Sequence, residues 1–311
     1  MKKIIFTLAI FLGLGLNNTW AKGNGAQNSE NNVRTIKSPR FARPLIEKWI
    51  EEYSKTESGV TFQIAKGSVN QEDIDLNVVS DNNASANGLN QIVYFGETAV
   101  LPITARSSEA ARLLEGKRLN AKKLKQLFFL NEDFDEDVKK NKAFETIVVY
   151  SGSNATSVAS SFAHNFGEES SSFRGKRISG DDLFLNTAIT KDPLGVTFNT
   201  LSNVFDLKNR HVKADLSIVG LDLKKDLADT FSNNGSLDDV LQTLENGKPS
   251  EIAIEKVGIV FSSTDDAVNR FLKWVLENGT KYNHEYGLLN LDNKVAQVEI
   301  DKVKNTLTAQ K

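Results

Sequence analysis

The sequence predicts an α/β fold built as two lobes. Strand-like and helix-like stretches alternate along most of the chain, the pattern of strands linked by covering helices. The length of 311 residues suits two domains at roughly 100–200 residues each. The run QIVYFGETAVLPITA at 91–105 reads as one long strand, or two abutting ones, crossing between the lobes.

Residues 1–21 stand apart from that fold. Lys2 and Lys3 precede the apolar run IIFTLAIFLGLGL, and Thr19-Trp20-Ala21 places small residues at −3 and −1, so the segment reads as a cleaved secretory signal peptide. Its apolar run is shorter than the roughly 20 residues that span a bilayer, so no membrane insertion is expected after cleavage. Cysteine is absent, which leaves no lipobox, disulfide framework or thiolate metal site. The expected location is the periplasm. After cleavage the 38 Lys and Arg, less Lys2 and Lys3, face 40 Asp and Glu, a formal charge of −4. That balance argues against nucleic acid, or an anionic membrane surface, as a bulk partner. Residues 22–33, rich in Gly, Asn and Ser, read as a flexible leader.

The elements follow in order. Residues 34–37 form a short strand, and Phe41, Leu45, Ile46, Trp49, Ile50 and Tyr53 mark a helical stripe. Pro44 suits that helix's first turn, where a missing N–H loses no bond. VTFQIA at 60–65 and IDLNVV at 74–79 are strands. After the crossing strand come helices around 107–114 and 121–127, then a strand at 147–150. Ala155, Val158, Ala159, Phe162 and Phe166 line one face of the next helix, with Gly167 as its C-terminal cap. A helix at 182–190 stops at Asp192-Pro193. Strands at 196–207 and 212–219, a polar and partly helical stretch at 221–247, and a strand at 256–261 follow. An amphipathic helix at 264–278, closed by Gly279, precedes a tail at 296–311.

Four stretches in this order resemble the type II periplasmic binding proteins, and within them the phosphate-binding branch. SPRFARPLIEKWIEEY at 38–53 is similar to that family's opening turn and first helix, and RLNAKKLKQLFF at 118–129 to a segment of its second lobe. DPLGVTFN at 192–199 sits where the family has a turn and strand, and AVNRFLKWVLENGTKYNHEYGLLNL at 267–291 is similar to its closing helix and turn. The resemblance implies a ligand cleft between the lobes. Residues 34–100 with 255–295 would form the first lobe and residues 101–254 the second.

In such a fold, helix N-termini from both lobes face the cleft, and their free N–H groups and dipoles cradle an anion. Ser151, Gly152, Ser153 and Asn154 match the family's Ser-Gly-Thr turn and form the candidate second-lobe half of the site. The alternative for Ser153 or Asn154 is a simple N-cap. Ser38, Arg40 and Phe41, with Gly67 and Ser68 after the next strand, form the first-lobe half. A cation such as Arg40 or Arg43 opposes the dipole of a helix N-terminus, and a bound anion reverses that sign; for Arg43 extension into water is the simpler reading. The sequence also departs from the family. Asp81 is the acid on offer where the family places one, and Val148, Val149 and Tyr150 fill the region of its missing arginine.

Other chemistry is less well supported. His164, His211 and His284 are scattered, so no transition-metal site is expected. Asp222, Asp226 and Asp229 lack a calcium loop's spacing. Asp181 and Asp182 are expected to neutralise the basic cluster Arg174, Lys176 and Arg177. No serine is paired with a base and an orienting acid, so neither an enzyme nor a cofactor is expected. The expected function is capture of a small oxyanion, with an inner-membrane transporter or envelope complex as protein partner. The alternative is a non-transporting envelope interaction or scaffold module built on the same fold.

Overall fold

The computed structural model describes residues 32–67, 69–81, 90–130, 142–153, 158–262 and 264–309. The predicted signal peptide and all but the last two residues of the leader lie outside these, as do Ser68 and Asn154.

The strands are β1 (Val33–Lys37), β2 (Thr61–Ile64), β3 (Leu76–Ser80), β4 (Asn90–Ala105), β5 (Val148–Gly152), β6 (Lys176–Ile178), β7 (Gly195–Thr200), β8 (Leu216–Ile218) and β9 (Ala253–Ser262). They join in one sheet in the order β2-β1-β3-β9-β4-β7-β5-β6, with β8 also paired to β4. The helices are α1 (Arg43–Ser54), α2 (Glu109–Leu114), α3 (Ala121–Phe128), α4 (Lys142–Thr146), α5 (Val158–Asn165), α6 (Leu183–Lys191), α7 (Leu201–Val204), α8 (Lys225–Ala228), α9 (Leu237–Asn246), α10 (Asp266–Trp274) and α11 (Asn293–Ala309).

Two hydrophobic clusters organise the buried side chains. The first gathers Leu45, Ile46 and Trp49 of α1 with Phe62, Phe95, Phe261 and Phe271. Trp49 meets Phe95 edge-on at 4.8 Å, and Phe271 stacks on Phe62 at 4.2 Å. The second gathers Phe128, Phe129, Phe162, Phe173 and Phe198 with the apolar face of α9. Its centre is Phe162, stacked on Phe198 at 4.2 Å and edge-on to Phe128 at 4.9 Å.

Two antiparallel strands run through both clusters. Val93 and Phe95 of β4 face the first cluster, while residues 99–101 and Ile103 belong to the second. On β9, Val257 belongs to the first and Ala253 to the second. Where β4 changes cluster its register with β9 slips between Tyr94 and Gly96. There Glu97 and Leu289 exchange backbone hydrogen bonds of 2.9 Å each way. A Cβ on Gly96 would lie 2.8 Å from the Leu289 carbonyl, so the crossing leaves no room for a side chain. The 91–105 run is therefore one strand with an irregularity rather than two strands.

Several expected elements shift for local reasons. The 196–207 strand ends at Thr200, because Asn199 Oδ1 accepts the Thr200 N–H at 2.9 Å and the chain turns into α7. The 212–219 strand is confined to β8, with Val212 bridged to Phe205. Gly279 has φ −79, so it does not act as a left-handed cap. It sits instead against Trp49, whose Nε1–H donates to the Gly279 carbonyl at 2.8 Å. Gly167 does take φ +69 and ends α5 as expected. Residues 296–309, read as tail, belong to α11. Ile300 and Leu307 pack on the first cluster, Val303 is fully buried in it, and Glu299 Oε2 accepts the Tyr94 N–H at 3.1 Å.

Candidate functional site at the interlobe cleft

The second-lobe half is built at the carboxyl end of β5. The strand runs through Ser151 and Gly152, where a turn was expected, because β6 pairs with it from Tyr150 to Gly152. Ser151 is fully buried and its Oγ has no hydrogen-bond partner among the described residues. The Ser153 N–H is taken by the Ile178 carbonyl at 3.0 Å, and its hydroxyl lies 3.0 Å from that of Ser179.

Beside this strand end lie the first described turn of α5 and the N-terminus of α6, and each already holds a carboxylate. Asp182 Oδ2 accepts the Val158 N–H, first of α5, at 3.2 Å. Asp181 Oδ1 accepts the Leu183 N–H, first of α6, at 2.8 Å. Neither acid neutralises the basic cluster as the sequence suggested. Arg174 donates instead to the Phe144 and Leu127 carbonyls, and Arg177 to those of Ser170 and Ser171. Lys176 lies 3.9 Å from Asp192.

The turn carrying the two acids is anchored from below. Asn199, fully buried on β7, donates to the Asp182 carbonyl at 2.8 Å and to Asn186 Oδ1 at 2.9 Å. Sequence reasoning assigned no role to either asparagine. They lie in apolar stretches, and a buried amide inside such a run is the signal that could have drawn attention.

Arg40 precedes α1, whose apolar face lies in the first cluster, and its Nε sits 3.0 Å from Asp181 Oδ2 at the start of α6. Ser38 donates to its neighbour Pro39's carbonyl at 3.0 Å, and Phe41 is half-buried against the first cluster. Gly67 turns the chain after β2 with φ +69 and is exposed. Arg43 does not simply extend into water: its Nε is buried and has no acceptor among the described residues. The tertiary structure thus brings Arg40, Ser153 and the 179–182 turn to one place. Asp81, the acid on offer after the 74–79 strand, accepts from the Tyr94 hydroxyl.

Burial dominates the electrostatics of Asp182. It pushes the carboxyl up to about 6, the Asp181 charge adds to the rise, and the Val158 N–H opposes it. Its Oδ1 is buried with no donor among the described residues. Elsewhere, a cavity of about 500 Å³ lies between α2 and β8, lined in part by Arg106, Arg112, Lys117 and Asn233; none of the predicted site residues that are described borders it. Among the described residues no group of three or more metal-ligating side chains forms, and no helix is long and apolar enough to cross a membrane.

The fold has solved counterparts. A putative phosphate ABC transporter substrate-binding protein with bound phosphate, from Clostridium perfringens, superposes with a TM-score of 0.58 at 14% identity, covering 84% of this chain and 100% of that one. An ABC-type phosphate transport receptor from Vibrio cholerae gives 0.56 at 12% identity, covering 83% and 100%. The fold is that of a type II periplasmic binding protein. At these identities the periplasmic-binding-protein likeness extends to fold alone. No family model matches the sequence, and no curated relative matches it.

Proposed function

We propose that this chain is an exported solute-binding protein that takes a small oxyanion of the phosphate class between its lobes. The observation that carries this reading is the Arg40–Asp181 pair. A guanidinium of one lobe already holds an oxygen anion of the other at 3.0 Å, which is the chemistry an oxyanion ligand requires. The phosphate proteins sharing the fold, and the signal-peptide pattern of residues 1–21, support the same reading. The role is binding rather than catalysis, with an inner-membrane transporter or envelope complex receiving the loaded form. The two clusters favour a division close to residues 34–100 with 255–295 and residues 101–254, with α11 added to the first lobe, although Ala99, Val100 and Leu289 pack in the second cluster.

A second reading is an envelope interaction module, favoured by the carboxylates that occupy both helix N-termini. Thermal melts of the wild type, Arg40→Ala and Ser153→Ala, with and without phosphate or sulfate, separate the two. A ligand that binds only the folded chain adds about 2.7 kcal/mol at a hundredfold excess over Kd. The oxyanion reading expects a gain in the wild type that Arg40→Ala abolishes and Ser153→Ala weakens. No gain in any of the three favours the module.

A further inference from the structure

We propose that Asp181 is the resident occupant of the first-lobe cation, so that an incoming oxyanion binds by displacing Asp181 from Arg40. This rests on the oxyanion reading above.

Asp181 divides its two oxygens between the lobes. Oδ1 accepts the Leu183 N–H within its own lobe at 2.8 Å, and Oδ2 faces Arg40 Nε of the other lobe at 3.0 Å. The two oxygens have different surroundings to answer to. The bond to Leu183 belongs to α6 and survives any separation of the lobes, whereas the contact with Arg40 exists only while they are close. Asp181 is mostly buried while the Arg40 side chain is 63% exposed, so the carboxylate is the fixed member and the guanidinium the mobile one. An exposed arginine can swing from one oxyanion to another without disturbing the α6 turn. At the neighbouring α5 the Val158 N–H is already taken by Asp182.

A competitor held inside the same molecule lowers apparent affinity by the fraction of time it occupies the cation; occupancy of about nine-tenths weakens binding roughly tenfold. Asp181→Asn keeps an oxygen for the Leu183 N–H and removes the charge that holds Arg40. Calorimetric titration of the full exported chain with inorganic phosphate should therefore give a Kd roughly tenfold lower in Asp181→Asn than in wild type. Because the sequence contains no cysteine, spin labels can be placed singly at the exposed positions Glu47→Cys on α1 and Lys191→Cys on α6. The distance distribution between them should broaden in Asp181→Asn without ligand and narrow when phosphate is added. Equal affinities overturn the displacement and leave the oxyanion reading standing. If neither protein binds phosphate or sulfate, the oxyanion reading itself fails and displacement falls with it.

Discussion

Asp182 reaches from the start of α6 to the first described turn of α5, where one carboxylate oxygen accepts the Val158 N–H at 3.2 Å and the other is buried with no donor among the described residues. A carboxylate at a helix N-terminus is favoured by the dipole, but its unpartnered oxygen leaves the desolvation cost uncompensated. The folded chain therefore holds this proton up to a pH of about 6, whereas an unfolded aspartate releases it near about 3.9. Between those values the folded state binds more protons, so this group lowers stability as pH rises from roughly 4 to 6, and the full penalty persists above 6. Asp182→Asn keeps an acceptor for Val158 and removes the charge. It should raise stability at pH 7–8 by roughly 1–3 kcal/mol and have little effect at pH 4. Urea unfolding of both proteins across that range checks the sign; a variant less stable at pH 8 would refute it.

Gly96 marks the point where β4 passes from one cluster to the other. Gly96→Ala would set a methyl 2.8 Å from the Leu289 carbonyl and 2.9 Å from Asn283 Nδ2. Asn283 is fully buried and donates to the Phe95 carbonyl at 2.9 Å, so it has little freedom to yield. The expected loss is roughly 1–3 kcal/mol, as for other overpacked sites. A variant within a few tenths of wild type in a urea titration would mean that the crossing is looser than its geometry.

Phe162 is the hub of the second cluster, touching Phe128, Phe129, Phe166, Phe173 and Phe198. Phe162→Ala is expected to cost roughly 3–5 kcal/mol, and Phe162→Leu clearly less, because the cavity left behind is smaller. The denaturation midpoint should fall while the slope stays near wild type.

Export makes its own prediction. The chain recovered from the periplasm should begin at Lys22, which intact-mass measurement reads directly. A membrane-bound form that retains residues 1–21 would refute the signal-peptide reading.

Most elements of the fold were legible along the chain, because periodicity and caps are local properties. The stripe of Leu45, Ile46, Trp49 and Tyr53 is buried as its spacing predicts, and the amphipathic 264–278 segment supplies Val268, Phe271 and Leu272 to the first cluster. Element ends were less legible. Strand β5 continues through Ser151 and Gly152 because β6, more than twenty residues later, pairs with them, and no local signal carries that. Likewise residues 296–309 read as a tail until β4 and the first cluster cover one side of α11.

The candidate site divides in the same way. Arg40 and Ser153 could be proposed from residue type and position in an element order. The two acids could be seen only as neighbours of Arg174, Lys176 and Arg177, since sequence distance was the only distance available. Folding sends the two arginines to backbone carbonyls and Lys176 toward Asp192, and brings Arg40, 141 positions away from Asp181, to within 3.0 Å of it. Charge pairing depends on separation in space and on which competing acceptors are nearer, so the occupant of Arg40 was decided by the tertiary structure alone.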